Sequence, residues 1–166
     1  RGFTRLRTGA DIDLYYAKET DNYECLKELN WKDTFSIKSF SYRPENKHEA
    51  YVDPNLTSDR SEINLYDLKE DKIIKKLFSD PLYDVSGLGL SRKRDFELDY
   101  FSFQGEKKVI VPISTYYKKL HTVISNRFPD QQYAIADKTD NEDKYLIFIQ
   151  SDVLYGVYYV YDVEED

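Results

Sequence analysis

The C-terminal run Val153-Leu154-Tyr155-Gly156-Val157-Tyr158-Tyr159-Val160-Tyr161 constrains this chain more than any other segment. β-Branched and aromatic residues at this density read as a strand. Successive side chains of a strand point to opposite faces, so a half-buried strand alternates apolar with polar. From Val157 to Tyr161 both parities are bulky. Both faces of this strand must therefore meet something, either a covering element of the same chain or a partner. Tyr145 to Gln150 supplies a preceding strand, and Ser151-Asp152 the turn of a hairpin.

Charge around this hairpin is one-sided. The net charge is −7 over 166 residues, yet from Pro129 onward two lysines stand against ten acidic residues, so the whole excess lies there. Such a field repels nucleic acid and anionic lipid and steers basic partners inward. The plain alternative is a solubilising acidic end. Arg92-Lys93-Arg94 is the dense basic run; it could take a phosphate, but in a locally mixed region it supports nucleic acid poorly.

The length fits one domain, 1–166, with residues 1–9 (Arg1, Arg5, Arg7) as a candidate arm. Ile12, Leu14 and Tyr16 alternate with polar positions as a strand. Tyr23, Leu26 and Leu29 approach helical spacing, which predicts a helix from Thr20 to Trp31 capped by Thr20 or Asp21. Phe35 to Tyr42 switches its apolar parity at Ser39, the mark of a bulged strand; Glu49 to Val52 forms the next. For 62–78 a hairpin competes with a helix over 71–79, which the stripe Ile73, Ile74, Leu77 and Phe78 favours. Ser86 to Ser91 reads as a flexible glycine loop. Phe96 to Phe103 and Val109 to Val111 read as strands. Ser114 or Thr115 caps the best helix, with Tyr117, Leu120, Val123, Ile124 and Phe128 on its apolar face, and Tyr133 to Ala136 follows as a strand. The expected fold is α+β: an antiparallel sheet of about five to seven strands with two or three helices packed on one face.

Chemistry-bearing residues are sparse. Cys25 cannot pair internally and sits among acids that oppose a thiolate, so it is expected to be a small buried residue. His48 and His121 lack metal-ligand spacing. Asp11/Asp13 and Asp95/Glu97/Asp99 share strand faces and read as solvent faces rather than as a converging catalytic pair. Asp137, Thr139, Asn141 and Asp143 alternate as calcium ligands do, without the sharp-turn glycine and distal glutamate; a solvated acidic loop is expected. Gly87-Leu88-Gly89 lacks the rest of any nucleotide fingerprint. Asn55-Leu56-Thr57 matches a glycosylation acceptor. No catalytic residue, metal ligand set or cofactor motif emerges, and no apolar run has the length of a membrane span. Arg1 in place of Met suggests a removed leader or a trimmed start, leaving export and a cytoplasmic location both open.

The expected function is a non-enzymatic protein-binding domain of inhibitor or immunity type. Its acidic, Tyr-rich C-terminal hairpin would engage a basic protein, with Asp143, Asp152, Tyr155, Tyr159 and Tyr161 as binding residues. One alternative is an exported or lipid-anchored accessory domain that binds glycan or peptide through surface Tyr and Trp31. Another is a small hydrolase using His121, which requires a deep pocket with a carboxylate or hydroxyl within hydrogen-bond reach of that ring.

Overall fold

A computed structural model describes residues 2–20, 22–42, 44–56 and 58–165. The cap at Asp21 and Thr57, the third residue of the Asn55 acceptor motif, lie outside them. Two compact units divide the chain, Arg1–Gly87 and Leu88–Asp166. Among the described residues there are four antiparallel sheets of three or four strands and one α-helix. This overturns the expected single sheet of five to seven strands with two or three helices. Only the helix at 115–127 forms; the other two helical readings are strands.

In the first unit, β1 (Gly2–Leu6), β2 (Ile12–Glu19) and β3 (Asn22–Leu29) make one sheet. The segment read as an arm is thus paired, Gly2 opposite Tyr16 and Leu6 opposite Ile12. A second sheet holds β4 (Ile37–Phe40), β5 (Glu49–Val52), β6 (Ile63–Asp67) and β7 (Lys72–Phe78). Both sheets feed one core of Leu14, Tyr16, Leu29, Phe35, Ala50, Val52, Tyr66 and Leu68. Asp13 is buried, against the solvent face predicted for it, because Arg5 and Arg7 cover its carboxylate at 2.6 and 2.9 Å.

The two false helices share one cause. Leu14 pairs with Lys27 and Tyr15 with Cys25, so Leu26 is an extra residue on β3. On β7, Ile74 and Leu77 are extra in the same way, since β6 pairs in turn with Ile73, Lys75, Lys76 and Phe78. Each bulge shifts side-chain parity by one and turns a period of two into spacings of three and four. Cys25 is consequently exposed rather than buried, its thiol directed at the Lys27 carbonyl at 3.6 Å.

The chain passes into the second unit along β8 (Val85–Leu90), where a glycine loop was expected. Tyr100 lies so close to Gly89 that a Cβ there would overlap its ring. β8 pairs with β9 (Leu98–Gln104), and β9 with β10 (Lys108–Pro112). α1 (Thr115–Arg127) starts at Ser114, whose hydroxyl accepts from the Tyr117 amide at 3.0 Å. It ends at Phe128, ahead of Pro129. The last sheet is β11 (Gln132–Lys138), β12 (Lys144–Ser151) and β13 (Leu154–Asp162), in that order. Tyr117, Leu120 and Ile124 of α1 pack on Tyr133, Tyr145, Ile147 and Ile149 of this sheet.

Candidate functional site

The turn that launches the β12–β13 hairpin is held by buried charge. Glu142, almost wholly buried, accepts from Ser91 Oγ at 2.8 Å, the Arg92 amide at 3.1 Å, Arg94 Nη1 at 2.6 Å and Lys138 Nζ at 2.5 Å. Burial alone would raise its pKa, but Lys138, Ser91 and Arg94 outweigh it and hold the carboxyl below the ordinary range. Arg94 also binds Glu97 and the buried Asp99, which accepts in addition from Ser114 Oγ at 2.7 Å. Its guanidinium lies 4.0 Å from the centre of the Tyr116 ring. Two expectations fall here. Within the 137–143 loop Asp137, Thr139, Asp140 and Asn141 are exposed as expected but Glu142 is buried, and Asp99 is not on a solvent face. Arg94 of the basic run is spent inside the unit rather than offered to phosphate. Among the described residues no cluster of His, Cys, Asp and Glu could hold a metal ion.

β13 is paired only with β12, and among the described residues no strand covers its other edge. Its two faces differ. Tyr159 and Tyr161 stand opposite Ile147 and Tyr145, on the side packed by α1. The Tyr159 ring touches Phe128 at the end of that helix, 4.8 Å between centroids. Tyr158 and Val160 stand opposite Phe148 and Leu146 on the other side, 61% and 70% exposed. Tyr158 contacts the Phe148 ring at 5.0 Å. At the turn end, Val153 and Tyr155 are fully exposed. Gly156 sits there at φ 147°, with the Phe148 ring filling the place of a side chain.

The predicted binding residues fall into three settings. Asp152 and Tyr155 are exposed together at the turn. Tyr159 is 43% exposed, half covered by Phe128, and Tyr161 is half-buried against the core. Asp143 lies at the opposite end of the hairpin, where its backbone carbonyl accepts from the Val163 amide and its carboxylate accepts from Thr139. That hydroxyl lowers the Asp143 pKa. Asp143 and Asp152 thus bracket β13, separated by a strand of roughly 25–30 Å at about 3.3 Å per residue. Asp162 pairs with Lys144, and Asp140 with Arg92 on the exposed surface; Lys144 also acts on Asp143 and helps to lower its pKa. Tyr158, Val153 and Val160 are the exposed positions that residue counting passed over. Their parity was legible, but not which parity the helix would cover.

His121 meets part of its expectation. Its Nδ1 lies 2.7 Å from the Tyr133 hydroxyl, which is 3.3 Å from that of Tyr117. The ring borders an open cavity of about 310 Å³ lined by Lys107, Lys108, Ser125, Asp130 and Gln132. Burial lowers the His121 pKa and pushes Tyr133 up to about 12, so imidazole and phenol are both neutral near pH 7. Such a pair orients two rings and offers a base without an adjacent activated nucleophile. His48 makes the same kind of contact in the first unit, Nδ1 to Tyr16 hydroxyl at 2.9 Å. No family model matches the chain, and it has no significant match among curated proteins or solved structures.

Proposed function

We propose that this chain is a protein-binding module of inhibitor or immunity type whose C-terminal hairpin engages a basic partner. The observation that carries this reading is β13: apolar and phenolic side chains exposed on an uncovered strand, between two acidic ends. Tyr155 and Tyr158 offer large, rigid contact area at a small loss of rotamer entropy. Val153 and Val160 extend that area. Asp152 and Asp143 supply the field that draws cations in and aligns them.

The test uses synthetic peptides with Lys or Arg at both ends and Val, Ile, Thr or Tyr between. Tyr155→Ala and Tyr158→Ala should each weaken binding by about tenfold or more, as central aromatic anchors do. Asp143→Asn and Asp152→Asn should reduce affinity less and flatten its salt dependence. Unchanged affinity and salt dependence in the two Asn variants would remove the electrostatic half of the reading. Unchanged affinity in the two Ala variants would remove the rest.

A further inference from the structure

Resting on that reading, we infer that the partner binds by strand addition: an extended basic segment pairs antiparallel with the outer edge of β13 and continues the β11-β12-β13 sheet. From Val157 to Asp162 the register with β12 runs without a shift, so the outward backbone groups are regularly spaced. Unpaired amide and carbonyl groups at this spacing are a template for another strand. No charged residue interrupts the edge between Asp152 and Asp162. β8 is equally free of charge, but it is shorter, carries two glycines and presents no large exposed side chain.

Charge selects the occupant. If a second copy of β13 paired antiparallel about Tyr158, Asp152 would face Glu164 and Leu154 would face Asp162, placing acids together at both ends. Like charges directly opposite destabilise a strand pair. A segment with Lys or Arg at each end meets Asp152 at one end and the acids around Asp143, Glu164 and Glu165 at the other. Its alternate side chains then lie beside Tyr158 and Val160 on one face, and beside Val157 and Tyr159 on the other. The surface therefore fits an extended, cation-flanked segment of a different protein.

The experiment uses the full chain and the same peptides, N-methylated at alternate residues in two sets of opposite parity. Strand addition requires every second peptide amide to donate to β13. One set should lose about tenfold or more in affinity while the other stays within about twofold. Amide exchange should slow along β13 at alternate residues. If both sets bind equally, yet Tyr155→Ala and Tyr158→Ala still weaken binding, strand addition is overturned and hairpin recognition survives. If no cation-flanked peptide binds, both fall. Sedimentation showing a dimer that Tyr158→Lys dissociates would assign the edge to a second copy and overturn the choice of occupant.

Discussion

β7 and β13 are both last strands of their sheets, and both are exposed along most of their length. They handle that exposure differently. β7 spaces Ile73 and Ile74 among Lys72, Lys75 and Lys76 and carries two bulges. Charged side chains and broken register are how an edge is closed to a further strand. β13 has an unbroken register over its second half, no lysine, and tyrosines and valines where β7 has cations. Among the described residues the chain therefore guards one edge with lysines and bulges and leaves the other without a neighbouring strand.

The comparison depends first on β13 being held in place, and Glu142 is the group that holds its hairpin. Glu142→Ala would leave Arg94, Lys138 and Ser91 facing a void, which should cost about 3–5 kcal/mol, the usual range for removing one partner of a buried ionic network. Urea denaturation of the two proteins measures it. A loss near zero would mean that the hairpin is held by packing alone. The same carboxyl gives the acid dependence its sign. Its folded pKa lies below the ordinary 4.5, so its contribution is fully present above that value. It is lost as pH falls through the folded pKa. Urea midpoints of the parent chain should drop on acidification below about pH 4.5, and those of Glu142→Gln should drop less.

A second, smaller effect belongs to the bulged end of β13. At φ 147° an L side chain is strained, and at position 156 it would also displace the Phe148 ring. Gly156→Val should lose about 1–3 kcal/mol on the backbone argument alone. No comparable glycine exists on β7. Thermal denaturation checks this, and a Gly156→Val variant as stable as the parent would show that the turn end of β13 adjusts freely.

How much of this was legible depended on whether local spacing survived into three dimensions. α1 was readable because its cap, its apolar stripe and Pro129 all act locally. The final hairpin was readable because Ser151-Asp152 separates two β-rich runs. β3 and β7 were not, because Leu26, Ile74 and Leu77 are bulged residues whose spacing imitates a helix, and register with a neighbouring strand has no local signature. Asp13, Asp99 and Glu142 were read as solvent-facing because the arginines that cover them come from other turns and strands. At the candidate site, the exposure of Tyr155 and Asp152 matches the sequence reading. The exposure of Tyr158 and Val160 was not legible, since strand parity is visible in sequence but the side on which α1 packs is not.

The smallest effects on stability give the sharpest contrast between the edges. Tyr158→Lys puts on β13 the kind of guard that β7 already has, and Lys75→Val removes one from β7. Both positions are exposed, so each change should alter stability by no more than about 0.5 kcal/mol. Association should move in opposite directions. Tyr158→Lys should abolish binding of the cation-flanked peptides, through the lost ring and the added charge. Lys75→Val leaves Ile73 and Ile74 beside a third β-branched residue on an edge with one fewer cation, and concentration-dependent self-association should rise in sedimentation velocity. The bulges at Ile74 and Leu77 still break the register, so that rise should stay weak. A strong dimer from Lys75→Val would show that lysine, and not bulging, closes β7; no change at all would show that the bulges suffice.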